Sequence, residues 1–295
     1  MTTWELPLGY GRSKPDVMAY GRDVMGSRMT GGCRSLSGTS VASPVVAGVV
    51  CLLASTVPEA KRWATLNPAS MKQALVESAA RLPDLNLYEQ GQGAVDVVAA
   101  KAVLDAYIPR ASVVPAALNL TDCPYMWPFC RQPLYSGAMP LMFNATILNG
   151  MGLVGHLAAP PTWAPADAGG RLLDLRFEYS GQLWPWSGFL ALYITVRPEG
   201  AGFTGGASGV VEFTVVSPPA LGEKGERRST VRLPLTAAVI PTPARADRVL
   251  WDQFHSIRYP PAYFPRDDLE ARQDILDWHG DHPHTNFHGM YDALR

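Results

Sequence analysis

The chain has 295 residues and a mass of 31.9 kDa, about twice the usual domain length of ~150 residues, so more than one domain is expected. Hydrophobic residues make up 47% and charged residues 17%, which excludes disordered, collagen-like and coiled-coil chains, while 27 glycines and 26 prolines favour turns and short strands over long helices. A formal net charge of −1 removes the electrostatic case for nucleic acid or an anionic membrane surface as the main partner.

In chain order, the residues after Met1 carry neither a basic n-region nor an apolar h-region, so the protein is either cytosolic or read from a point inside a longer chain. The segment KPDVMAY reads as a short strand. Ser35 to Pro58 is uncharged and long enough on paper to cross a bilayer, but SLSGTSVASP is rich in hydroxyl residues, leaving Val45 to Leu53 as the dense apolar run. With Val45, Val49 and Leu52 on one stripe and Val46, Val50 and Leu53 on the next, the expectation is a soluble core helix buried on all sides. A second helix opens on Asn67 as N-cap with Pro68 at its first position and runs to about Arg81; a third follows Gly91-Gln92-Gly93 and ends near Tyr107 and Pro109. Past Pro109 the period changes to two. Leu173 to Tyr179, Leu190 to Val196 and Val211 to Val215 alternate apolar with polar residues, and Met142 to Leu148 and Val231 to Leu235 join them as strands of an antiparallel sandwich. The fold class is therefore the C-terminal part of an α/β domain (1–109), an antiparallel β-sandwich (110–244) and the start of a further α/β domain (245–295).

The chemistry-bearing feature is Gly38-Thr39-Ser40-Val41-Ala42-Ser43-Pro44, where a loop enters the first helix. A helix N-terminus presents free N–H groups and positive dipole potential, so the Ser40 amide can help hold an oxyanion and Gly38 lets a substrate backbone approach. A serine that merely caps a helix is the plainer reading of the position alone.

The full string GTSxAxP, followed by a helix of small and β-branched residues, resembles the nucleophile motif of subtilisin-like serine proteases, with Ser40 matching the catalytic serine. KPDVMAYG resembles the strand before that loop, although Tyr20 stands where proline is usual, and Asn67-Pro68 and GQGAVDVVAAKAVL resemble the family's last helices. Further strings, among them WELPLGYGRSKPD, DCPYMWPFC, ILNGMGLVGH and LWPWSGFLA, resemble a membrane-anchored branch of the family in the secretory pathway. The resemblance implies a calcium-dependent serine endopeptidase of the Golgi or ER lumen, anchored by a helix outside this chain, whose protein substrates are luminal parts of membrane-tethered precursors. No cofactor is expected within this stretch, and its calcium ligands are unassigned.

The family's triad runs Asp, His, Ser along the chain, yet the 39 residues before Ser40 hold no histidine. The base and its orienting aspartate are thus expected upstream of Met1, with Met1 an internal methionine, and the isolated chain is expected to be nearly inert; a non-catalytic binding or structural glycoprotein is the rival reading. His156, His255, His279, His282, His284 and His288 are all remote from Ser40 in sequence. Asp281-His282-Pro283-His284 could ligate zinc but reads more simply as a solvated connection, so no metal site is assigned. In a luminal setting Cys123 and Cys130 are either a short-loop disulfide or two free thiols; Cys51 reads as an inert residue of a buried helix, and Cys33 is left open. Asn119-Leu120-Thr121 and Asn144-Ala145-Thr146 are glycosylation sequons, the second on a strand where Asn144 could face inward. Trp184-Pro185-Trp186 reads as a packing corner.

Overall fold

The structure is a computed structural model that describes residues 13–127, 129–220, 222–249 and 288–294. A hairpin of β1 (Val24–Ser27) and β2 (Cys33–Leu36) leads into α1 (Thr39–Thr56), then α2 (Glu59–Thr65), α3 (Pro68–Glu77), α4 (Leu87–Gln90) and α5 (Val97–Asp105). KPDVMAY is not a continuous strand; it bridges at Met18, parallel to Ala94.

The capping chemistry read from the sequence sets α3. Asn67 accepts from the Ser70 N–H at 2.8 Å while its own N–H donates to Ser70 Oγ at 3.0 Å, and Pro68 occupies the first turn. The helix stops at Glu77, short of Arg81, because Ala80 turns away to exchange two 2.8 Å backbone hydrogen bonds with Ala94. The same exchange delays α5: Val95 stays outside the helix, Asp96 caps it by accepting from the Ala99 N–H at 2.9 Å, and Val98 faces solvent. Leu53, Met71, Ala74, Leu75, Ala100 and Leu104 close a small core between α1, α3 and α5.

The sandwich follows the period-two reading. Antiparallel β3 (Ala111–Val114), β5 (Leu141–Asn149), β9 (Ser187–Val196) and β8 (Leu173–Tyr179) form one sheet in the order β3-β5-β9-β8. The other sheet places β4 (Leu118–Asn119), β11 (Arg227–Val239), β10 (Gly205–Ser217) and β6 (His156–Leu157) in that order, with β7 (Thr162–Pro165) also on β10. β10 and β11 pair from Gly205 opposite Val239 to Ser217 opposite Arg227, and Val211, Phe213, Val215, Val231, Leu233 and Leu235 point inward. A short helix, α6 (Ala168–Arg171), capped by Asp167, crosses between β7 and β8. Phe143 lies at the centre of this core, 2% exposed, its ring centroid 5.1 Å from that of Phe129. Trp186 packs against the cluster of Ala69, Val76, Val114 and Leu148, which agrees with a packing corner, whereas Trp184 is 63% exposed.

Of the third expected region only 245–249 and 288–294 are described, so the His-rich tract at 281–284 lies outside the described residues, as do His255 and His279. Helix α7 (His288–Leu294) lies beside the sandwich, where the Tyr291 hydroxyl donates to the Arg131 carbonyl at 3.1 Å.

Removing the Phe143 ring leaves a cavity between both sheets. Phe143→Ala should lower stability by about 3–5 kcal/mol, read from the denaturation midpoint at unchanged m-value.

Candidate active site

Ser40 sits in the first turn of α1, directly after Gly38 and Thr39, so the three residues of the serine loop lie together where the sequence places them. Gly38 is the N-cap at φ 152°, ψ 166°, a backbone conformation that favours glycine, and it offers no side chain to cap the helix. Its carbonyl instead accepts from the Val41 and Ala42 N–H groups at 3.0 and 3.2 Å. The Ser40 side chain is exposed, and neither its hydroxyl nor its N–H has a hydrogen-bond partner among the described residues. A free N–H and a free hydroxyl thus share the positive end of a helix of 18 residues.

The loop is held from below. Gly38 N–H donates to the Gly21 carbonyl at 2.7 Å, and a Cβ on Gly21 would come within 2.9 Å of the Gly38 carbonyl and 3.0 Å of Ala42 Cβ. Gly21 ends the segment that begins with Lys14, and that segment carries an ion cluster the sequence reading missed. Lys14 Nζ and Lys72 Nζ reach the same Asp16 carboxylate oxygen at 2.5 and 2.9 Å. Burial pushes the Asp16 carboxyl up, but the charge of Lys72 and the hydrogen bonds from both lysines outweigh it and hold the group below the usual carboxylate range. Burial lowers the Lys14 ammonium despite its carboxylate partner. The sequence signal was only the alternation Lys-Pro-Asp; Lys72 is 56 residues farther on and no spacing rule joins it to Asp16.

Helix α1 departs from expectation. Leu53 is its one buried residue, and Val46, Val49 and Val50 are half-buried on the side that meets α3 and α5. The opposite side, with Pro44, Ala47, Cys51 and Leu52, is exposed, as is the whole β1–β2 hairpin apart from half-buried Val24. Burial on all sides would need a further layer against that face, and among the described residues α3, α5 and the 13–21 segment cover one side only. Cys51 is accordingly an exposed free thiol rather than a buried apolar residue, and Cys33 is exposed as well. By length and a mean hydropathy of 1.7, Thr39–Thr56 also meets the requirement for a membrane-crossing helix.

The other candidates are dispersed. Cys123 and Cys130 form a disulfide at a Cα separation of 5.8 Å. Asn119 is exposed on β4, its Oδ1 accepting from the Thr121 hydroxyl at 2.7 Å, whereas Asn144 is 5% exposed on β5. His156 is exposed on β6, opposite Val216, and makes no contact with Ser40. Among the described residues no three His, Cys, Asp or Glu side chains gather to hold a metal.

Comparison with known proteins gives three consecutive matches. Residues 3–94 match the subtilase family, residues 114–242 the third, Ig-like domain of MBTPS1, and residues 243–295 its fourth, GATase-like domain. The whole chain is 64% identical to subtilisin-like protease SBT6.1 of Arabidopsis thaliana and 55% identical to the membrane-bound transcription factor site-1 protease of Homo sapiens. In both cases the chain spans 28% of the length of the relative. A solved self-cleaved protease domain of PatA is 36% identical over 29% of this chain and 30% of its own, with a TM-score of 0.25. Residues 3–94 are thus similar to the subtilase family, and the serine motif of residues 38–44 lies inside the segment that matches it.

Proposed function

We propose that Ser40 is the nucleophile of a serine endopeptidase of the site-1 protease type, and that this chain supplies the serine-bearing end of its catalytic domain (1–109), the sandwich (110–244) and the start of a further domain (245–295). The observation that carries the reading is the GTSVASP string at the N-terminus of α1, with the Ser40 hydroxyl exposed and its N–H unengaged. In the reaction Ser40 Oγ attacks the peptide carbonyl carbon and forms the acyl–oxygen bond. Its proton passes to an imidazole contributed by chain outside these residues, and the Ser40 N–H donates to the oxyanion. The protonated imidazole then returns the proton to the leaving amine, and water completes hydrolysis along the same path.

The same relatives and the cysteine chemistry support a compartment in the secretory pathway. A disulfide in a loop as short as Cys123 to Cys130 persists in an oxidising lumen, which supports the secretory pathway, with substrates in the luminal segments of membrane-tethered precursors. Asn119 is the sequon asparagine whose exposure leaves room for a glycan. We read α1 as a helix of the soluble domain rather than a span, because it begins in the serine loop and contains Pro44. One observation favours the rival reading, a non-catalytic binding or structural glycoprotein: no base stands beside Ser40 among the described residues.

The two readings separate with a fluorophosphonate probe. The full-length chain should label at Ser40, and Ser40→Ala should remove the label along with peptide hydrolysis, a loss on the order of a millionfold in turnover; the 295-residue chain should label poorly. Equal labelling of wild type and Ser40→Ala rejects the nucleophile. Glycopeptide mapping of the secretory-expressed protein should find the Asn119 peptide occupied and Asn119→Gln should lose that glycan, whereas an unmodified Asn119 removes this support for a luminal location.

A further inference from the structure

The cluster of Lys14, Asp16 and Lys72 does more than add an ion pair. Lys14 and Asp16 are two residues apart on one segment, so their contact leaves that segment free to shift as a unit; Lys72 alone comes from another element, the middle of α3. The segment it grips is registered by backbone hydrogen bonds: Gln92 N–H to the Asp16 carbonyl at 2.9 Å, Met18 N–H to the Gly93 carbonyl at 2.8 Å, and Val95 N–H to the Met18 carbonyl at 2.9 Å. The approach is as close as a backbone allows. Gly91 has φ 61°, and a Cβ there would lie 2.3 Å from the Pro15 carbonyl oxygen and 2.5 Å from the Asp16 carbonyl. Gly21, five residues past Asp16, then accepts from Gly38, the N-cap beneath Ser40, so displacement of the segment moves the N-terminus of α1.

We propose that Lys72 is a positioning residue for Ser40: through Asp16 it locks the 14–21 segment to α3, and through the Gly21–Gly38 hydrogen bond that segment fixes where the serine loop sits. The assignment rests on the reading of Ser40 as nucleophile for its consequence in catalysis, but the mechanical coupling stands without it. The side chains of Asp16 and Lys72 are 24% and 31% exposed, so the pair is shielded well beyond an ordinary surface contact, and a guanidinium in place of the ammonium keeps the charge.

Hydrogen exchange on the 295-residue chain tests the coupling. In Lys72→Met, peptides carrying the Met18 and Gly38 amides should exchange about three- to fivefold faster than wild type, Lys72→Arg should restore wild-type rates, and the sandwich strands β9 and β10 should be unchanged. Lys72→Gln serves in the same comparison if Lys72→Met does not fold. Unchanged exchange at Gly38, or an equal acceleration throughout the sandwich, overturns the proposal. In the full-length chain, fluorophosphonate labelling and kcat should fall with Lys72→Met while KM holds, and Lys72→Arg should recover both. A wild-type chain that never labels at Ser40 removes the nucleophile reading and leaves the exchange result to judge the clamp; labelling equal to wild type in Lys72→Met overturns the positioning role with the nucleophile intact.

Discussion

Helix α3 is the element both halves of the molecule share, and a buried amide makes that sharing specific. Gln73 is fully buried; its Nε2 donates to the Arg110 carbonyl at 3.1 Å and to Ser112 Oγ at 2.9 Å, while Oε1 accepts from the Tyr107 hydroxyl. A buried amide left unmatched would cost about 1–3 kcal/mol, so satisfying both ends fixes one arrangement of α3 against the start of the sandwich. Around it, Ala69 and Val76 pack on Val114 and Leu148, Met71, Ala74 and Leu75 face α1 and α5, and Asn67 Nδ2 reaches the Gly150 carbonyl at 3.2 Å. A helix packed on two sides is buried around most of its circumference, and from Ala69 to Val76 every residue of α3 is buried except Lys72, which is half-buried.

That exception links the shared helix to the serine loop. Lys72 sits where α3 passes the 14–21 segment, and the segment ends at the glycine on which Gly38 rests. The sandwich is thereby coupled to the serine loop through α3, although among the described residues no sandwich residue hydrogen-bonds to Ser40. Rigid elements that meet at satisfied polar contacts are how a reactive side chain at a helix end is held to a fraction of an ångström. The exposed face of α1 belongs to the same picture. An uncharged helix with an open apolar side is a surface that water disfavours, and the subtilase segment matched here belongs to relatives of which this chain spans 28%.

The sandwich was legible because period two needs no knowledge of partners: β8 runs from Leu173 to Tyr179 as the alternation predicts, and the other four expected strands differ only by longer ends. The Asn67-Pro68 cap was legible for the same reason, being local chemistry. Burial of α1 was not, since a helix apolar on every side carries no signal for which side is covered, and Cys51 fell on the open one. Helices α2 and α4 lie below the length at which periodicity speaks. The Lys72–Asp16 contact was invisible because it joins residues 56 apart through a fold that alternation and capping do not specify. At the site, Ser40 could be located from its motif, whereas the cushion of Gly21 beneath it required coordinates.

An experimental structure of the full-length protein tests the central claim most directly. The account predicts an imidazole nitrogen within about 3.2 Å of Ser40 Oγ, with the Ala47, Cys51 and Leu52 face of α1 covered by chain from outside these residues. A structure in which that face stays open to solvent and no histidine approaches Ser40 would contradict it.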